Sequence, residues 1–175
     1  MAVLAPRIMR GITLVANDNI NLAITLEEMT LPVMEEITET FHPGGADGEV
    51  DIAGLGTKAL MLSAKVKGYT PEVFNLFGGP PGVRHDWTGK VLVTDDETGV
   101  EYEHAVDIKG RLTKIDGGNR QPGKAGGYDY EMKSIWTYTE YWNGQVLHRW
   151  NLMTGGWDIQ NSVPVNSHRR SFLLS

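Results

Sequence analysis

Tyr128 to Asn151 reads YDYEMKSIWTYTEYW-NG-QVLHRWN, and this stretch decides the fold. Two runs rich in aromatic and β-branched residues flank Asn143-Gly144, the residue pair best suited to the two positive φ angles of a tight hairpin turn. With those two residues as the loop, Trp142 faces Gln145. The pairs Tyr141/Val146, Thr139/His148, Thr137/Trp150 and Ile135/Leu152 then share a face apolar enough for core. The opposite face pairs Glu140 with Leu147, Tyr138 with Arg149 and Trp136 with Asn151. That mixture of rings and charge suits a contact with another subunit, so Trp136, Tyr138 and Arg149 are candidate subunit-contact residues.

Working outward, the same grammar recurs. Lys90 to Thr94, the turn Asp95 to Gly99 and a strand from Val100 to about Ile115 make a second, long hairpin. Ile12, Leu14 and Ala16 alternate against Thr13 and Val15, and the turn Asn17-Asp18-Asn19 leads into a run from Asn21 to Thr30, which predicts a first hairpin. Beyond Leu31-Pro32, Glu35, Ile37, Glu39 and Phe41 share one face and Glu36, Thr38 and Thr40 the other. A long Gly-containing excursion from His42 to Gly56 precedes the next strand, Ala59 to Lys67. One helix is expected: Thr70 caps, Pro71 takes the first helical position, and Val73, Leu76 and Phe77 fall on one face before Gly78-Gly79. The chain therefore reads as a single domain over residues 1–175, all-β with one short helix, a sandwich or barrel.

Composition agrees. Gly and Pro account for 21 and 8 of the 175 residues, the turn content of a protein built from many strands. Leu, Ile, Val and Phe make up about a quarter of the chain, enough to fold. Cysteine is absent, which excludes a disulfide framework, thiolate catalysis and cysteine-ligated zinc. The formal net charge of −6 is not that of a nucleic-acid binder. No apolar stretch approaches the ~18 residues of a membrane span, and the N-terminus lacks a basic head with an apolar core, so a soluble, unprocessed chain is expected.

Charge is uneven. Between Gly11 and Thr57 there is no Lys or Arg, while Asp18, Glu27, Glu28, Glu35, Glu36, Glu39, Asp47, Glu49 and Asp51 form an acidic block. After Asp158 the ionisable side chains are His168, Arg169 and Arg170, a locally basic tail. Such an asymmetry is either a solvated surface or half of an interface.

Reactive constellations do not emerge. His42, His85, His104, His148 and His168 show no metal-ligand spacing, and His85-Asp86, adjacent on an extended chain, point to opposite faces. The paired glycines lack the lysine and spacing of a phosphate loop. Aromatic residues Trp136, Tyr138, Trp142 and Trp150 offer the sharpest alternative, a sugar-stacking face. The sequence points to no catalytic residue, metal ligand or cofactor site.

The order of these features resembles the major tail tube proteins of contractile-tailed bacteriophages and related phage-tail-like particles. The resemblance runs almost end to end. It is carried by Thr30-Leu31-Pro32, the excursion Gly44 to Gly56 with Val50-Asp51, and the strand-helix step Ala59 to Phe77. Gly110-Arg111, Lys114-Ile115-Asp116, the loop Gly117 to Gly127, the tyrosine-rich strand before its tight turn and the ending His168-Arg169-Arg170 complete it.

The resemblance implies subunits in hexameric rings, with strands of all six closing one barrel around a lumen and the rings stacking into a tube. The implied partners are other copies of the chain, the tail sheath, baseplate and tail terminator proteins, and the tape measure protein and DNA passing through the lumen without sequence-specific binding. The implied location is the virion, after assembly in the host cytoplasm, with no membrane anchor.

A duct for a polyanion must not hold it by counterion release, so an acidic wall suits it. On that ground Glu35, Glu36, Glu39 and Glu49 are candidate lumen-facing residues. His42, Gly44, Gly45, Asp47, Gly48 and Asp51 belong to a loop long enough to reach the next ring. Arg169 and Arg170 are candidates for contact with a neighbour or the sheath. A bacteriocin-like or other contractile injection particle shares the expected fold and differs in cargo. A carbohydrate-binding sandwich is the rival from another class.

Overall fold

The computed structural model describes residues 5–45, 47–159 and 163–164. Strands β1 (Arg7–Ala16) and β2 (Ile20–Asn21) are joined by Asn17, Asp18 and Asn19, the first two at positive φ (48° and 59°), a conformation that short polar side chains tolerate. β3 (Leu26–Thr30) follows, then β4 (Glu39–Phe41), β5 (Val50–Ile52) and β6 (Leu62–Lys67). A one-turn helix α1 (Pro71–Phe74) leads to β7 (His85–Asp95), β8 (Glu101–Asp116), β9 (Gly127–Trp142), β10 (Gln145–Asn151), β11 (Gly156–Ile159) and β12 (Val163–Pro164). The molecule is mostly β-sheet with a single short helix among the described residues, as expected.

Ten strands form one sheet in the order β12-β11-β10-β9-β8-β7-β1-β2, with β6 and then β3 branching from β9. The fork lies within β9. Its first half pairs with β6 (Leu62 opposite Met132, Lys67 opposite Gly127), its second half with β10, and β8 runs along the other edge of both. Ser134, at φ 52°, marks the change of neighbour. There β9 holds Lys133 opposite Arg111 and Thr137 opposite Lys109, so extra residues on β9 bend the ladder.

Sheet rows alternate between the two faces. Ala16, Trp87, Ile108, Tyr138, Trp150 and Trp157 lie side by side on the inner face. Leu14, Leu62, Val66, Trp87, Leu112, Tyr130, Met132 and Tyr138 are at most 1% exposed, and Val73 of α1 joins them. Each such Leu or Val contributes about 1.5–3 kcal/mol by leaving water, which sets the sandwich-like closure of the two branches.

Several expectations need correction. The first hairpin closes only at Val15 and Ala16; β3 leaves it and pairs with β6. The Asn143-Gly144 turn forms as read, with Gln145 opposite Trp142 and Val146 opposite Tyr141, but a bulge at Leu147 shifts the register by one. His148 therefore meets Glu140, Arg149 meets Thr139 and Trp150 meets Tyr138.

The helix is shorter than read and Phe77 is half exposed. Thr70 makes no side-chain cap; its hydroxyl shares a buried hydrogen bond with the Tyr130 hydroxyl instead. The Asp95–Gly99 turn forms as expected: the Asp95 carboxylate accepts from the backbone N–H of Glu97 and Thr98, and Gly99 takes φ 69°.

Candidate assembly surface

Residues 33–58 form an arm that stands off the body. Glu36 bridges Thr57, Ile37 N donates to Gly56 O (2.8 Å), and Lys58 Nζ meets Glu35 Oε1 at 2.7 Å. Further out, β4 and β5 pair, among the described residues, with each other alone: Glu39 opposite Ile52, Thr40 opposite Asp51, Phe41 opposite Val50. Thr40 Oγ1 donates to Asp51 Oδ1 (2.7 Å), and His42 Nδ1 donates across the tip to Gly48 O (3.3 Å).

Cross-strand partners share a face, so Glu39, Phe41, Val50 and Ile52 line one side and Thr40 and Asp51 the other. Ile37 joins the first side by alternation. The arm is amphipathic, yet among the described residues nothing covers its apolar side. Val33, Met34, Ile37, Phe41, Val50, Ile52 and Leu55 are 43–68% exposed. A two-stranded hairpin is marginal alone in water, and covering each half-exposed residue adds roughly 1 kcal/mol. A run of this kind marks an interaction surface.

The root of the arm is tied into the sheet. Trp157 Nε1 donates to Thr57 Oγ1 at 2.7 Å, and the Trp157 ring packs edge-on against Tyr138 and His148, centroids 5.9 and 6.4 Å apart. Tyr138 donates its hydroxyl to Glu140 Oε2 (3.0 Å), while His104 Nε2 donates to Glu140 Oε1 (2.7 Å). The bond from His104 holds the Glu140 carboxyl below the usual range against the opposing effect of burial. Burial, reinforced by the Glu140 charge, pushes the Tyr138 phenol well above its usual value.

The outer face of the long sheet is wet. Thr13, Lys90, Ala105, Tyr141 and Val146 make one row across five strands, and Val15, Thr88, Asp107, Thr139 and Arg149 the next. Its charges largely meet each other: Lys90 with Glu103 (3.4 Å), Lys109 with Asp86 (3.7 Å), and Thr88 donating to Asp107 (2.8 Å). Among the described residues one edge of this sheet is open, because β2 covers β1 only at its C-terminal end.

The candidate residues separate accordingly. Glu35, Glu36, Glu39 and Glu49 all lie on the arm and are exposed, but Glu35 is engaged by Lys58, and Glu36 alternates away from Glu35 and Glu39. His42, Gly44, Gly45, Asp47, Gly48 and Asp51 lie at or beside the arm's tip. Trp136 is half-buried under the Arg84 guanidinium, 3.7 Å from its ring centroid.

Tyr138 is a correction. At 1% exposure it belongs to the subunit's own core, and the bulge at Leu147 sends Arg149 to the opposite, wet face. The same placement disperses the sugar-stacking set: Tyr138 is interior, Trp150 packs on the core, and Trp142 stacks on Tyr102. Arg169 and Arg170 lie outside the described residues. Missed by the sequence reading were the Trp157–Thr57 link and the wet face. Threonines at 13, 88, 137 and 139 are the one signal that could have indicated that face.

A β-sandwich body with an open strand edge and an uncovered amphipathic arm is built to associate with other chains. The comparison with known families agrees: a model described as phage tail tube protein FII matches residues 6–171, and the chain belongs to that family. It is a structural component of the virion that self-assembles into the tail tube and associates with other tail components, in a family of structural proteins and not of enzymes. No curated protein sequence matches the chain. No helix among the described residues is long and apolar enough to cross a membrane.

Proposed function

We propose that the chain, acting as one domain, forms hexameric rings that stack into the inner tube of a contractile phage tail and conduct DNA into the host. The uncovered apolar side of the arm carries this reading. Phe41, Val50 and Ile52 are about half exposed among the described residues and leave water when another subunit covers them, and an arm that engages the next ring makes stacking open-ended. The open edge of β1 supports lateral closure, because unpaired N–H and C=O groups are satisfied by a neighbour's strand.

The wet face of the long sheet supports the conduit. It presents threonines and carboxylates, Lys90 and Lys109 are already matched by Glu103 and Asp86, and Arg149 is the further cation placed on it. A wall with few uncompensated cations releases few counterions and lets a polyanion slide. The sheath surrounds the tube, baseplate and terminator proteins close its ends, and the tape measure protein precedes DNA in the bore, after assembly in the host cytoplasm.

Electron microscopy of the purified protein tests the reading. Wild type is expected to give hollow rods of uniform width, and deletion of residues 44–48 to give folded subunits that stop short of rods. Rods of normal length from the deletion variant refute the role of the arm.

A further inference from the structure

The arm needs a seat, and the other end of the body offers one. Lys67 lies opposite Gly127, whereas the arm's root stands beside Trp157, whose row runs through Trp150 to Tyr138. Gly127 and Tyr138 are both in β9, so roughly 36 Å of extended strand, bent at Ser134, runs between the two places.

Three loops meet at the Gly127 end. Lys67 N donates to Thr25 O (2.8 Å) and Gly68 N to Gly126 O (2.7 Å), which brings together the loops after β2, after β6 and before β9. Ile24 is 100% exposed there, the most exposed large apolar residue described. Tyr69 is also exposed, packed edge-on against Tyr128, with the Arg120 guanidinium 5.6 Å from its ring centroid. Between β6 and the loop before β9 runs an open groove of about 420 Å³ that includes Lys65, Lys67, Lys124 and Asp129 in its walls.

Charge at this end is unbalanced. Lys67 is matched by Glu27 at 2.8 Å and Asp116 by Lys114 at 3.6 Å. Lys65 stands between its cross-strand partners Glu28 and Asp129, which leaves Arg120 and Lys124 as the cations of this end that make no ion pair among the described residues. The arm is the reverse: Glu36, Glu39, Asp47, Glu49 and Asp51 make no ion pair among the described residues and flank an apolar side.

We infer that the loop cluster carrying Ile24, Tyr69, Arg120 and Lys124 receives the arm of a second copy of this chain. The inference rests on the stacking reading above. Apolar side chains from both partners are covered together, while acidic arm against basic rim fixes orientation and repels arm from arm. One end of each subunit thus fits only the other end of the next, the geometry of an open polymer.

Charge reversal tests this in the full chain. R120E/K124E and E39K/E49K are each expected to lower the yield of long rods at least tenfold in subunits that remain folded, and their combination to restore it to within twofold. Because Arg120 also donates to the Tyr128 hydroxyl (2.8 Å), K124E alone is the variant expected to leave melting unchanged while still lowering the yield. I24E, at a side chain fully in solvent, removes apolar contact without disturbing the fold and is expected to block polymerisation as well. Normal rods from R120E/K124E and I24E, or a combined variant no better than its parents, overturn the seat. If the 44–48 deletion still stops polymerisation in that event, stacking through the arm stands and only its receptor is wrong. If that deletion polymerises normally, the stacking reading falls too.

Discussion

Trp157 donates its indole N–H to the Thr57 hydroxyl over 2.7 Å, joining residues one hundred positions apart. With the Glu36–Thr57 bridge, this bond attaches an otherwise exposed arm to the last strands of the sheet. Trp157→Phe removes the donor and keeps a ring against Tyr138 and His148. Since one hydrogen bond contributes about 0.5–1.5 kcal/mol, global stability should fall by no more than about 1.5 kcal/mol. Amide exchange across residues 37–55 should quicken several-fold, because a local opening needs only the root to yield. Exchange mass spectrometry decides it: protection in the arm equal to wild type would show that the root bond does not hold it.

Glu140 makes stability depend on acid. Its carboxyl is held low in the folded state by His104 and Tyr138, so its contribution is complete above the unfolded carboxylate value of about 4.3 and is lost as pH falls through the folded value. Glu140→Gln keeps the shape and removes the charge. The variant should lose about 1–2 kcal/mol at pH 7 and show a flatter decline from pH 5 to pH 3. Glu27, Asp95 and Glu131 are also held low and steepen both curves alike, so the difference between the two urea-denaturation profiles isolates Glu140.

Local chemistry was legible in the sequence and non-local placement was not. Asn143-Gly144 and Asp95–Gly99 announced their turns because backbone conformation at those sites is set by the residues themselves. The bulge at Leu147 and the left-handed Ser134 leave no local mark, and each moves side chains between faces, which is why Tyr138 was placed outside and is inside. The departure of β3 towards β6 was equally hidden, since Leu26–Thr30 could alternate against either neighbour. At the assembly surface, the alternation of Ile37, Glu39 and Phe41 could be read directly. Its exposure could not, because an amphipathic strand looks the same whether its apolar side meets its own core or a neighbour's.

Gly127 is fixed by the backbone it touches. A Cβ there would stand 2.6 Å from the carbonyl oxygen of Val66, where β6 and β9 pair. Backbone cannot step aside as a side-chain tip can, so Gly127→Ala should cost about 1–3 kcal/mol by spreading the two strands. Gly126→Ala, whose Cβ would meet nothing within 4 Å, is the matched control and should stay within about 0.5 kcal/mol. Thermal melts of the two variants under one condition give the comparison, and equal losses would contradict the contact.

Arg111 closes the segment between α1 and β7 onto the fork. Its guanidinium donates to three successive carbonyls, Gly78 and Gly79 at 2.7 Å and Pro80 at 2.9 Å, while Arg84 from the far side of the same loop donates to Ser134 O and Oγ at 3.1 Å. The planar fork of an arginine reaches several carbonyls at once, and a lysine offers a single point of charge. Arg111→Ala should therefore lower stability by about 2 kcal/mol, and Arg111→Lys should recover less than half of that. Chemical denaturation supplies both numbers. Because Arg84 stacks on Trp136 whether or not Arg111 is present, Arg84→Ala combined with Arg111→Ala should lose more than either alone but less than their sum, the mark of two groups holding one loop.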